Sequence, residues 1–142
     1  MDKKGKVTGL GGIFFKADDP DLLKKWYTEN LGLPCDQHGH LFSWRKLENP
    51  DEIGYTQFSI FDKKTDYLNP AKKEFMINFR VENLEELIDQ LKENGMQVIG
   101  EIESYEYGKF GWVMDPEGNK IELWEPVDKI FTKMNESKEA NK

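Results

Sequence analysis

The spacing of apolar and polar positions predicts alternating strands and helices. Period-two alternation of β-branched and aromatic residues predicts strands over residues 9–17, 40–47, 55–61, 75–81, 97–102, 110–114 and 120–124. Apolar residues three and four positions apart predict helices over 20–30 and 84–94. Asp19 followed by Pro20 is typical of a helix start, and Asn83 is the predicted cap of the second helix.

The predicted elements occur twice along the chain. A shift of 64 residues pairs Phe15 with Phe79, Lys16 with Arg80, Leu23 with Leu87 and Asn30 with Asn94. A slightly larger shift near the end of each half sets Gln57 against Glu122. The repeat predicts an α+β fold of two βαβββ modules, at about residues 8–62 and 75–126. We expect a curved mixed sheet around a cleft, with the helices on its convex face.

Strand parity predicts which side chains line the cleft. In the strand at 75–81, Ile77 and Phe79 are expected to face a helix, so Asn78 and Arg80 face the cleft. The same reasoning on the other strands adds Phe14, Lys16, Gln57, Ser59, Met76, Glu122 and Trp124. A concave surface where polar groups converge among aromatic side chains is typical of a small-molecule site. A solvated sheet face would carry the same polar residues, so both interpretations stay open.

Composition narrows the class of protein. The 142 residues suit one domain, at 8–127, with a charged leader at 1–7 and a polar tail at 128–142. The tail could form a short helix anchored by Ile130, Phe131 and Met134, followed by frayed chain. The 20 basic and 27 acidic residues give a net charge of -7, which disfavours nucleic acid and membranes as partners. A single cysteine and the lack of a long apolar run predict a cytoplasmic protein.

Two stretches of the sequence carry a family motif. Residues 115–124 read Asp-Pro-Glu-Gly-Asn-Lys-Ile-Glu-Leu-Trp, and residues 26–33 read Trp-Tyr-Thr-Glu-Asn-Leu-Gly-Leu. Both are similar to motifs of the vicinal-oxygen-chelate superfamily, also called glyoxalase/bleomycin-resistance/dioxygenase, and the resemblance extends from Leu10 to Pro126. It implies paired βαβββ modules and a homodimer. It also implies a role among the family's lyases, dioxygenases, thiol transferases and drug-sequestering proteins.

The resemblance also implies a divalent metal held by one side chain from the first and last strand of each module. The matching positions are Gly12, Gln57, Met76 and Glu122. Glutamate is a good hard ligand and glutamine a tolerable one, but glycine offers no side chain and a thioether suits other metals. We therefore expect no four-ligand metal site and leave the cofactor unknown. A bound divalent metal would use Glu122 and Gln57.

Other candidate residues favour structural roles. His38 and His40 are close in sequence, but no further histidine exists to complete a metal site, so a surface loop is expected. Trp26 is assigned to the core by its position on the first helix. Tyr105 and Tyr107 belong to an aromatic loop that either covers the cleft or packs a dimer.

Three functions remain open. In the first, the cleft binds a small organic ligand, anionic or aromatic, without the usual metal; Arg80, Asn78, Gln57, Glu122 and Lys16 supply polar contacts, and Trp124 and Phe14 the walls. In the second, a metal-dependent lyase or dioxygenase-type enzyme uses Glu122 and the substrate's own oxygens as ligands, with Glu122 as the catalytic residue. In the third, the protein is structural or binds a partner, and the cleft is filled.

Overall fold

The computed structural model describes residues 5–140, with side chains described as far as Met134. Residues 1–4 of the predicted leader and 141–142 of the predicted tail lie outside the described residues. Within that range the chain forms seven strands and three helices. They are β1 (Lys6–Ala17), α1 (Pro20–Leu31), β2 (His40–Arg45), β3 (Ile53–Asp62), β4 (Phe75–Glu82), α2 (Leu84–Glu93), β5 (Val98–Tyr105), β6 (Gly108–Met114), β7 (Lys120–Pro126) and α3 (Asp128–Ala140).

All seven strands belong to one mixed sheet, in the order β2-β3-β1-β4-β7-β6-β5. β1 pairs with β3 and β4 with β7 in parallel, whereas the other pairs are antiparallel. The antiparallel pairing of β1 with β4 joins the two modules within one chain. The predicted α+β fold with a curved mixed sheet is confirmed.

The first module is one strand shorter than predicted. It contributes β2, β3 and β1, whereas the second contributes β4, β7, β6 and β5. Among the described residues between α1 and β2, the strand-like pairing is an isolated bridge from Asp36 to Gly39. The pairing register also differs between the two modules. Gln57 of β3 lies opposite Gly12 of β1, and the repeat relates these two residues to Glu122 and Met76. In the second module, however, Glu122 of β7 lies opposite Asn78 of β4.

Local signals at the helix ends are mostly confirmed. Asp19 caps α1, because its Oδ1 accepts a hydrogen bond from the Leu22 amide at 3.1 Å. Asn83 occupies the cap position of α2 but, at φ 55°, its side chain makes no capping hydrogen bond. Glu125, on β7, caps the helix instead, accepting from the Leu84 amide at 2.8 Å.

The two module helices are buried to different degrees. α2 packs on one face of the sheet through a cluster of Val81, Leu84, Ile88, Val113 and Leu123. α1 contacts the sheet through Tyr27, whose ring lies 5.3 Å from that of Phe58. Trp26 is 49% exposed, so its assignment to the core was wrong. One step along a helix turns a side chain by about 100°, which carries Trp26 to the flank of the contact.

The opposite face of the sheet carries the predicted cleft residues, and we call it the site face. A second apolar cluster lies there, formed by Phe14, Leu68, Met76 and Trp112. Two segments outside the repeat cover this face: the loop at 63–74, through Leu68, and α3, through Phe131. The tail is thus a helix over its described length. None of the helices in the described part of the chain is long and apolar enough to cross a membrane.

Candidate functional site

The register of β4 and β7 brings four predicted site residues together. Asn78 lies opposite Glu122, and Arg80 lies opposite Trp124. All four side chains are on the site face, as strand parity predicted. They divide into two adjacent polar groups, one around Glu122 and one around Arg80.

The first group holds a buried carboxylate. Glu122 is only 3% exposed. The Asn78 amide donates to its Oε1 at 2.6 Å, and the Trp112 indole donates to its Oε2 at 2.9 Å. The Tyr67 hydroxyl, from the 63–74 loop, donates to the same Oε2. Three donors from two strands and a loop therefore offset the cost of burying this carboxylate.

A buried lysine adjoins this group. The Lys120 ammonium donates to the Tyr67 carbonyl oxygen at 2.6 Å and lies 5.2 Å and 5.7 Å from the ring centres of Tyr67 and Trp112. Burial lowers the pKa of Lys120, although the charge of Glu122 opposes the change. Burial, followed by the charge of Glu122 and the hydrogen bond to it, raises the pKa of the Tyr67 hydroxyl.

The raised pKa of Tyr67 predicts a loss of stability at high pH. Above about pH 10 the unfolded chain releases the tyrosine proton while the folded chain retains it, so the free energy of unfolding falls as pH rises. Urea unfolding between about pH 8 and 11 measures this slope. It should be shallower in Tyr67→Phe and unchanged in the control Tyr27→Phe. An equal slope in Tyr67→Phe would contradict the assignment.

The second group holds a buried guanidinium. Arg80 is 5% exposed and lies between two indoles, 4.9 Å from the ring centre of Trp44 and 5.5 Å from that of Trp124. Its two terminal nitrogens donate to the two carboxylate oxygens of Asp128 at 2.9 and 2.5 Å. One of them also donates to the Tyr55 carbonyl oxygen at 3.2 Å. This is the forked geometry with which arginine recognises planar anions, with aromatic walls on both sides.

Asp128, the first residue of α3, is held by two cations. Lys46 reaches its Oδ2 at 3.0 Å, beside the bidentate contact from Arg80. Burial alone would raise the pKa of Asp128, but the hydrogen bonds from Arg80 and Lys46 outweigh burial and keep that pKa below its usual range. The carboxylate is therefore ionised at neutral pH.

The predicted site residues do not all converge. Arg80 and Glu122 lie on the same face but do not pair, because each has other partners. Phe14 packs in the apolar cluster with Met76. Gln57 is drawn away from Glu122, since its amide nitrogen donates to the His38 carbonyl oxygen at 2.8 Å. Lys16 lies near the end of β1, opposite Phe61, and is half-buried.

Four contributors to the site escaped prediction as site residues: Lys46, Tyr67, Trp112 and Asp128. Tyr67 is an aromatic residue in the mostly polar loop at 63–74. An isolated aromatic residue in such a loop is a signal that could have indicated a buried contact. Asp128 opens the tail, and an acidic residue there suits a helix start. Trp44 of β2 also contributes, since its ring lies against the guanidinium of Arg80.

The side chains on this face do not fit a divalent metal. Both oxygens of Glu122 already accept hydrogen bonds, Met76 is packed among apolar side chains, and Gly12 has no donor. Among the side chains that the structure describes, those of residues 5–134, no group of three His, Cys, Asp or Glu is placed to hold an ion. His40, considered for a metal, contacts the Pro34 carbonyl oxygen through Nδ1 at 2.8 Å.

Two surface cavities are lined mainly by residues outside the site face, although Trp112 of the Glu122 group borders the first. One of about 410 Å³ is bounded by α2 and the β5–β6 pair, and one of about 400 Å³ lies beside α1 and Cys35. Neither is lined by a predicted site residue. The polar chemistry of the molecule is concentrated instead where its own loop and terminal helix cover the sheet.

Comparison with known proteins establishes the family. A family model described as a glyoxalase-like domain matches residues 12–124. The chain belongs to the glyoxalase-like domain family. This confirms the resemblance to the vicinal-oxygen-chelate superfamily inferred from the two motifs. No curated protein matches the chain at a significant level.

Solved structures share the fold of this glyoxalase-like domain. A methylmalonyl-CoA epimerase from Mycobacterium tuberculosis is 19% identical, with 93% of this chain and 97% of that chain covered and a TM-score of 0.58. One from Streptomyces coelicolor, in complex with 2-nitronate-propionyl-CoA, is 12% identical, with 86% and 99% covered and a TM-score of 0.63. A chain described as an NAD-dependent benzaldehyde dehydrogenase from Legionella pneumophila is 12% identical, with 81% and 97% covered and a TM-score of 0.52. At these identities the likeness shows the fold alone.

Proposed function

We propose that this glyoxalase-like domain binds a small organic anion with an aromatic or apolar part on its site face, without a resident metal. The observation that carries the proposal is the buried guanidinium of Arg80. It makes a bidentate contact with a carboxylate, that of Asp128, and lies against the rings of Trp44 and Trp124. The guanidinium provides charge and orientation for an anion, and the indoles provide apolar walls.

A structural role for this face explains the Arg80 group less well. A buried ion pair contributes little net stability, because desolvation of both charges offsets their attraction. Well-packed apolar side chains would hold α3 on the sheet as firmly. A guanidinium that already has the geometry of anion recognition is better explained by a ligand than by packing.

The Glu122 group adjoins the Arg80 group and would provide a second set of polar side chains beside the ligand. Asn78, Tyr67 and Trp112 hold that carboxylate in place through hydrogen bonds. The alternative of a metal-dependent lyase or dioxygenase-type enzyme needs free carboxylate oxygens on Glu122, and three donors occupy them. Epimerases that share the fold include one in complex with 2-nitronate-propionyl-CoA, which supports small organic ligands as a class for this architecture.

Replacing Arg80 tests the proposal directly. A panel of small aromatic carboxylates, titrated by calorimetry, should include binders of the wild-type protein. Arg80→Met should weaken them at least thirtyfold, or by about 2 kcal/mol, because the anion loses its bidentate partner. The control is Arg45→Met, which removes an exposed arginine of β2. Equal affinity in Arg80→Met, or a wild-type protein that binds none of the panel, would refute the proposal.

Two further parts of the proposal concern assembly and location. The resemblance predicts a homodimer, and the composition predicts a cytoplasmic location. Leu10, Ile13 and Phe75 support the dimer, since these large apolar side chains on the central strands β1 and β4 are each more than 40% exposed. The mass of the protein in solution tests the dimer, and a monomer at micromolar concentration would rule it out.

A further inference from the structure

The first turn of α3 presents a carboxylate and a ring to the site face. Asp128 occupies both terminal nitrogens of Arg80 and the ammonium of Lys46. Lys46 also pairs with Glu52 at 3.0 Å, so the two cations, Arg80 and Lys46, face two carboxylates, Asp128 and Glu52. The anion site of the protein is therefore filled by the protein itself.

An aromatic ring follows the carboxylate at a fixed distance. Phe131, three residues after Asp128, lies on the same side of the helix. Its ring centre is 5.7 Å from that of Trp124, 5.4 Å from that of Tyr55 and 6.3 Å from that of Tyr107. Two aromatic side chains of the sheet and one from the turn between β5 and β6 thus surround one ring. Carboxylate and ring together have the composition of an aryl carboxylate whose two ends are about one helical turn apart.

Among the side chains of α3 that the structure describes, those at 128–134, the first turn provides most of the contacts with the sheet. Beyond Phe131, Thr132 contacts the Tyr55 hydroxyl at 2.8 Å, while Lys133 and Met134 are exposed. Val127, which links α3 to β7, is exposed as well. A helix of 13 residues has little stability of its own, so its docking depends on these few contacts. It is the kind of element that opens without unfolding the sheet.

We propose that Asp128 and Phe131 act as an internal ligand, and that the external ligand is an aryl carboxylate that takes their place when α3 leaves the sheet. The inference rests on the proposed function and adds to it the ligand class and its control. The ligand's carboxylate takes the two nitrogens of Arg80 and the ammonium of Lys46, and its ring takes the pocket of Trp124, Tyr55 and Tyr107.

If α3 and the ligand compete for the same site, the direction in which a mutation in α3 changes ligand affinity can be predicted. The apparent dissociation constant equals the intrinsic constant divided by the fraction of molecules in which α3 is undocked. A change that weakens docking raises that fraction and tightens ligand binding. Removing a contact between protein and ligand would have the opposite sign, so the two effects are distinguishable.

The experiment compares two variants of α3 with a control on the same helix. The probe is 3-phenylpropionate, titrated into the wild-type protein, Asp128→Asn, Phe131→Ala and the control Met134→Ala. We expect both test variants to bind at least about fivefold more tightly than the wild-type protein, and the control to bind equally. The uncharged 3-phenylpropanamide should bind none of them. In the wild-type protein, ligand should accelerate amide hydrogen exchange in α3.

Each contrary outcome has a separate meaning. If the wild-type protein binds 3-phenylpropionate through Arg80 but neither test variant binds more tightly, α3 is no competitor and only this inference fails. If Asp128→Asn shows faster exchange in α3, so that the site is open, and yet binds no aryl carboxylate, the inference and the proposed function fail together. Slower exchange in α3 on binding would also overturn the inference, because the ligand would then pack with the helix.

Discussion

Glu122→Leu is expected to lower the free energy of unfolding by about 4 kcal/mol. Leucine fills the space of the carboxylate but accepts no hydrogen bond, so the Asn78 amide, the Trp112 indole and the Tyr67 hydroxyl each lose a partner. A buried donor left without an acceptor costs about 1–3 kcal/mol, and the Tyr67 hydroxyl can recover part of its share by turning to water. Urea unfolding followed by tryptophan fluorescence measures the change.

Two further variants separate this cause from general damage to the sheet. Glu101→Leu makes the same change on β5, where the side chain is exposed, and should alter stability by less than about 0.5 kcal/mol. Glu122→Gln retains one acceptor oxygen and should cost less than leucine. If Glu122→Leu were as stable as Glu101→Leu, the three hydrogen bonds could not be what holds this face together.

Leu68→Ala is the second large effect, with an expected loss of about 3 kcal/mol in the free energy of unfolding. Leu68 is fully buried, at 0% exposure, and packs against Phe14, Met76 and Trp112. Truncating a buried leucine removes apolar contact and leaves a cavity, at a cost of about 2–5 kcal/mol. The loop at 63–74 would also hold Tyr67 less firmly over Glu122. Urea unfolding again gives the change.

The chain offers a matched control for this truncation. Leu47 follows β2 and is 95% exposed, so Leu47→Ala removes the same atoms from water rather than from a core. Its effect should stay within about 0.5 kcal/mol. Similar stability in the two variants would mean that the loop is only loosely attached to the site face.

The sequence was sufficient for the architecture because its signals are local. Caps such as Asp19, the motif at 115–124 and the period of apolar residues each depend on neighbours in the chain. The repeat then fixed which strands share a face, and the contacts of Asn78 with Glu122 and of Arg80 with Trp124 follow from that parity. Trp26 shows the limit of this reasoning, since periodicity defines a helical face only to within about one residue step of 100°.

The two segments that cover the site face, the loop at 63–74 and α3, could not be predicted in the same way. Tyr67 and Asp128 lie in segments outside the repeat, where the sequence is mostly polar and has no period. Their positions are set by contacts with residues about fifty positions away, to Glu122 and Arg80. Such pairings depend on how the chain closes its long loops, which local spacing does not encode. Gln57 lies apart from Glu122 for a related reason, because the two modules differ in register by more than the repeat suggests.

The strand order leaves β2 and β5 at the two ends of an open sheet, and each end is poorly suited to receive another strand. β2 is only six residues long. β5 changes register against β6 between Ile99 and Glu103, and Gly100 there has φ 67°. Short edges, irregular backbone and charged side chains such as Glu101 and Glu103 block the hydrogen-bonded stacking of folded copies. Growth of this protein into fibres through its native sheet is thereby disfavoured.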